Sequence, residues 1–120
     1  MTYSMTVRVP GAFSPTVDRV RAALKDQGFG VLTEIDVRAT MREKLDVAME
    51  EYLILGACNP PLAHRALSAD REIGVLLPCN VVVRATGPDE TVVSAIDPHT
   101  MVQVTSDPEI KLVADDASAR

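Results

Sequence analysis

Tyr52-Leu53-Ile54-Leu55-Gly56-Ala57-Cys58-Asn59-Pro60-Pro61-Leu62-Ala63-His64 is the stretch on which the reading of this chain turns. Its first seven residues are apolar on both faces, the pattern of a central strand covered on two sides. Asn59 then caps a helix, and Pro60 and Pro61 occupy its first turn, where a missing N–H costs nothing. The spacing predicts a helix to about residue 70, with Leu62, Ala63, Ala66 and Leu67 inward. A buried strand running straight into a helix points to a mixed α and β architecture.

Working toward the N-terminus, residues 29–37 alternate as a strand. Val31, Thr33, Ile35 and Val37 share one face, and Leu32, Glu34 and Asp36 the other. Before it, Ser14-Pro15 reads as a helix start, Val17, Val20 and Leu24 as its apolar stripe, and Gly28 as its left-handed stop. Residues 5–9 alternate as a first strand, and residues 39–45 form a short helix.

Toward the C-terminus, residues 73–77 start a strand that Pro78 interrupts before residues 79–84. Gly87-Pro88-Asp89-Glu90 is a turn, and residues 91–97 pair back as a hairpin. Asp97-Pro98 and Asp107-Pro108 each open a further helical segment, the second carrying an Ile110, Val113, Ala117 stripe. The expected order is β-α-β-(α)-β-α-β-β-α. That is an α+β fold: a single antiparallel-rich sheet with helices packed on one face, in one domain spanning residues 1–120.

Hydrophobic residues make up 47% of the 120, enough for a core without a metal or disulfide. A net charge of -5 leaves no basic footprint for nucleic acid, and no partner of that kind is expected. No apolar run approaches the roughly 20 residues of a membrane helix, and Met1 to Thr6 lacks the pattern of a secretory leader. No membrane partner is expected either. A cytoplasmic address follows as the expectation, with both cysteines reduced.

Three segments carry a family resemblance: residues 28–37, Leu55-Gly56-Ala57-Cys58-Asn59-Pro60, and Leu76-Leu77-Pro78-Cys79-Asn80. Together with Ala95-Ile96-Asp97-Pro98, they resemble the small bacterial and archaeal family known as domain of unknown function 302. The resemblance implies a compact domain of TATA-box-binding-protein-like topology, often a homodimer. It implies no nucleic-acid binding and carries no established activity.

Chemistry-bearing residues gather in one region. Cys58-Asn59 and Cys79-Asn80 each sit at a strand end beside proline, and His64 follows in the helix. Cys58, Asn59, His64, Cys79 and Asn80 are therefore the candidate site, read first as a pocket for a small ligand. A soft metal or haem site of Cys58, His64 and Cys79 is the alternative, although no Cys-x-x-Cys spacing is present. A third reading gives Cys58 a lowered pKa at a helix N-terminus and makes it a redox or nucleophilic thiol. Against all of these stands the commoner role of free cysteines as small buried hydrophobes, in a purely structural interaction module. His64 falls at the edge of the polar helix side, and His99 reads as a surface residue. Glu34 and Asp36 read as a solvated face, and the methionines as core filler. The residues identify neither a particular cofactor nor a particular reaction.

Overall fold

The computed structural model describes residues 4–97. Five strands form one antiparallel sheet: β1 (Ser4–Pro10), β2 (Gly30–Asp36), β3 (Tyr52–Cys58), β4 (Cys79–Gly87) and β5 (Glu90–Ile96). Their spatial order is β1-β5-β4-β3-β2. The helices are α1 (Phe13–Asp26), α2 (Val37–Leu45) and α3 (Pro60–Ala69), followed by a 3-10 helix (Arg71–Leu76). The fold is α+β, as the periodicities predict. The helical segments expected after Asp97 lie outside the described residues.

The opening stretch behaves as read. β3 lies between β2 and β4, with Leu53, Leu55 and Ala57 buried on the face that α1 covers. Val17 of α1 joins Leu53, Leu55, Val81 and Val83 in the main core, with Val20, Leu24, Val31, Val93 and Ala95 packed against them. Burying each such Val or Leu contributes about 1.5–3 kcal/mol, so this cluster outweighs any single cap or ion pair. A second cluster joins Leu62 and Ala66 of α3 to Ile73 of the 3-10 helix. α2 packs beside β3.

Three local expectations are corrected. Ser14-Pro15 lies inside α1; the N-cap is Ala12, with no side-chain cap. The helix can begin earlier because proline is tolerated throughout the first turn. Thr16 Oγ1 also secures this end by donating to Ala12 O at 2.8 Å. At the other end Gly28 is the stop expected, with φ +85°.

β2 does not alternate regularly. Its register slips between Val31, opposite Ala57, and Thr33, opposite Gly56, which makes Leu32 an extra residue, a β-bulge. The slip leaves Val31 in the core and Leu32 66% exposed. It also turns Glu34 and Asp36 to the face of Leu55 and Leu53, and Thr33 and Ile35 to the opposite one. The two carboxylates are used structurally: Glu34 pairs with Arg21 of α1, and Asp36 Oδ1 accepts the Ala39 N–H at 2.9 Å.

Residues 73–77 are not a strand. Asp70 accepts from the Glu72 N–H at 3.0 Å and starts the 3-10 turn, which buries Ile73 against α3. Ladder pairing of β4 begins only after Pro78, whose peptide bond to Leu77 is cis.

Candidate functional site

Between α1 and the sheet lies a cleft of about 340 Å³. Its helical wall is Val20, Ala23 and Leu24, with Gln27 and Phe29 at the end. Its floor crosses three strands through Ala57, Cys79, Val81, Val93 and Ala95. Met5, Ile96 and Asn80 complete the lining, and none of these described residues is charged.

The cleft follows from the sequence in two ways. Alanines 23, 57 and 95 stand on facing elements, where the rest of the core has Leu or Val. The β4–β5 ladder also ends at Val81–Ala95, although β4 runs back to Cys79 and β5 on to Ile96. Missing side-chain volume and the end of the described β4–β5 register coincide at one end of α1.

Cys79 pairs with Ala57, which puts it on the α1 face. Burial pushes its thiol up from the ordinary value, and the proximity of Cys58 adds to the rise. Cys58 pairs with Gly30 and, by strand alternation, belongs to the opposite face. Burial raises its thiol as well. Both cysteines are free, and both favour the protonated form at neutral pH. The helix N-terminus beside Cys58 does not reverse the desolvation.

The other candidates serve α3 or face solvent. Asn59 is buried, and its Oδ1 accepts the Leu62 N–H at 3.2 Å, the cap expected. His64 is exposed on the polar side of α3, and Asn80 is exposed on β4. Thus the structure brings Cys79 and Asn80 to the cleft and leaves Cys58, Asn59 and His64 away from its lining. Among the described residues no group of three or more His, Cys, Asp or Glu side chains is placed to hold a metal ion. His99 lies outside the described residues.

Met5 is not core filler; it stands 44% exposed at the cleft. The alanines that shape the cleft carry no signal of their own in the sequence, and only their falling on facing elements distinguishes them. A second hollow, about 270 Å³ between α2 and β3, has Asp36, Arg38, Arg42 and Glu51 in its lining, of which Arg38 pairs with Glu51 at 3.5 Å.

These observations define an α+β domain with one antiparallel sheet and, beneath its first helix, a cleft whose described lining residues are uncharged. The family described as Domain of unknown function DUF302 matches residues 5–120, and the chain belongs to it. The crystal structure of an uncharacterized conserved protein DUF302 from Bacillus stearothermophilus is similar over 99% of this chain and 92% of that one. The two share 31% identity at a TM-score of 0.89. No curated protein matches the chain.

Proposed function

We propose that this domain binds a small molecule in the cleft between α1 and the sheet, as a carrier or accessory module. The observation that carries the reading is a hollow of about 340 Å³ beside Cys79 and Asn80, with no charged side chain among its described lining residues. Small-ligand sites are concave and apolar with few polar groups, and this one lies at the lower end of their usual volumes. Desolvated, protonated thiols suit binding better than they suit a thiolate nucleophile or a metal ligand. The two free cysteines fit a reducing, cytoplasmic setting. A homodimer is part of the proposal, supported by exposed apolar residues on the edge strand β1, where Val7 is 60% exposed.

The test is a titration with Nile red, a neutral apolar dye, followed by fluorescence. Ala23 is exposed on the helical wall, so Ala23→Phe fills the cleft without disturbing the core beneath. The wild type should bind and the variant should not, at equal thermal stability. Equal binding by both proteins, or none by the wild type, rejects the cleft as the site.

A further inference from the structure

The hollow between α2 and β3 lies at the opposite end of β3 from Ala57 and its partner Cys79. It forms where β2 runs into α2 with no loop between them: Asp36 is the last residue of the strand and the N-cap of the helix. Asp36 Oδ1 accepts the Ala39 N–H at 2.9 Å, and Asp36 O accepts from Thr40 Oγ1 at 2.9 Å. Asp36 also stands opposite Leu53 in the β2–β3 ladder, so the start of α2 is fixed against the start of β3.

Four charged side chains enter the lining, and their signs cancel: Asp36 and Glu51 against Arg38 and Arg42. The two arginines are four residues apart on α2, and helical Cα–Cβ bonds tilt toward the N-terminus, here toward Asp36. Glu51 hangs from a backbone held to β4, since its carbonyl accepts the Ala85 N–H at 2.9 Å. Arg38 meets its carboxylate at 3.5 Å. Arg42 meets Asp46 at 3.2 Å, and both side chains are exposed. An exposed helical pair of that kind contributes about 0.3–0.5 kcal/mol, so the Arg42 guanidinium remains open to a better acceptor. Beside the charges lie Phe13, Leu53 and Tyr52.

A lone anion here meets two carboxylates, and a lone cation meets two guanidiniums. A molecule that carries both charges on neighbouring atoms satisfies both sets. We infer that this hollow is a second binding site, for a zwitterionic α-amino acid with an apolar side chain. Its carboxylate accepts from the Arg42 guanidinium, whose planar fork suits bidentate pairing. Its ammonium donates to Glu51 and to Asp36 Oδ2, the oxygen left over by the helix cap. Its side chain lies on Phe13 and Leu53. A volume of about 270 Å³, just under the usual range for drug-sized ligands, suits a metabolite this small. The site is independent of whatever fills the cleft beneath α1.

Four probes separate the elements of this inference: leucine; isocaproate, which lacks the ammonium; isoamylamine, which lacks the carboxylate; and glycine, which lacks the side chain. Each is titrated into the isotope-labelled full chain and followed by amide NMR. Leucine should bind about tenfold more tightly than any of the others and should shift the amides of Arg38, Ala39 and Tyr52. Arg42→Gln should weaken leucine about tenfold and leave isoamylamine unchanged. Glu51→Gln should weaken leucine and isoamylamine and leave isocaproate unchanged. Both side chains reach solvent, and thermal melts check that the variants fold; the comparison of probes on the wild type does not depend on them. Isocaproate or isoamylamine binding as tightly as leucine overturns the zwitterion, and glycine doing so overturns the apolar contact. Leucine shifts confined to Val81 and Ala95, or affinity untouched by either substitution, overturn the placement beside α2. No leucine binding at millimolar concentration overturns the site altogether.

Discussion

Gly56 sits where β2, β3 and the chain entering β4 converge. A Cβ added there would fall against Thr33 Oγ1 and 2.8 Å from Pro78 Cγ. Gly56→Ala is expected to lower stability by about 1–3 kcal/mol, the usual cost of overpacking. Thr33→Ala in the same chain should recover part of that, because the hydroxyl is the nearest atom. Urea unfolding of the four-member cycle reads the coupling, and strict additivity would show that the contact is not the cause. Cys79 gives a second test at this scale. Its pKa is raised by burial, so the folded state favours the neutral thiol. The associated stability is complete below the ordinary thiol pKa and is lost as pH rises through the raised value. Alkylation of Cys79 by iodoacetamide near neutral pH should be slower than that of free cysteine, and Cys79→Ala should flatten the alkaline fall in stability. Rapid neutral alkylation would contradict the burial argument. Little of this is legible in the sequence. Gly56 reads as one more apolar strand position, since Thr33 reaches it only after the bulge in β2, and of the alternatives open for Cys58 the lowered pKa at a helix end is the one that desolvation opposes.

The elements themselves were largely legible. The Val17, Val20, Leu24 stripe is the face α1 buries, and Asn59 with two prolines starts α3 as expected. Both follow from short-range chemistry: helical spacing in one case, an acceptor for orphan N–H groups in the other. Asn59→Ala should cost about 1 kcal/mol, and Asn59→Ser much less, measured by chemical denaturation. Equal losses would mean that packing around Asn59, not its Oδ1, holds the start of α3. The failures were non-local. A bulge at Leu32 depends on how β2 meets Ala57 and Gly56. The short apolar run 73–77 suits a strand and a turn of helix equally, and contact with α3 decides between them.

At the scale of the molecule, the two sheet edges differ. β2 is interrupted by its bulge and bears Glu34 and Asp36, features that discourage strand addition. β1 is regular over its seven residues and leaves Met5 and Val7 exposed, so it is the edge a second copy would use. Sedimentation at micromolar concentration should show a dimer, and Val7→Lys should return the 12.9 kDa chain to a monomer. A wild type that sediments at 12.9 kDa rejects the dimer outright. The candidate site was half legible at this scale. The Cys-Asn dipeptides drew attention to Cys79 and Asn80, which do reach the cleft, but its walls are alanines whose meaning exists only once α1 lies across the sheet. The pairing of Ser4 with Ile96 carries one more consequence. The first described strand mates with the last, so during synthesis β1 must wait, unmated, until β5 has left the ribosome. This is the longest loop closure among the described strand pairs, and its entropy is recovered only when it forms. Because Met5 and Ile96 both border the cleft, its rim is complete only once β1 has paired with β5, and an occupant would meet the whole rim only in chains that have made that pairing.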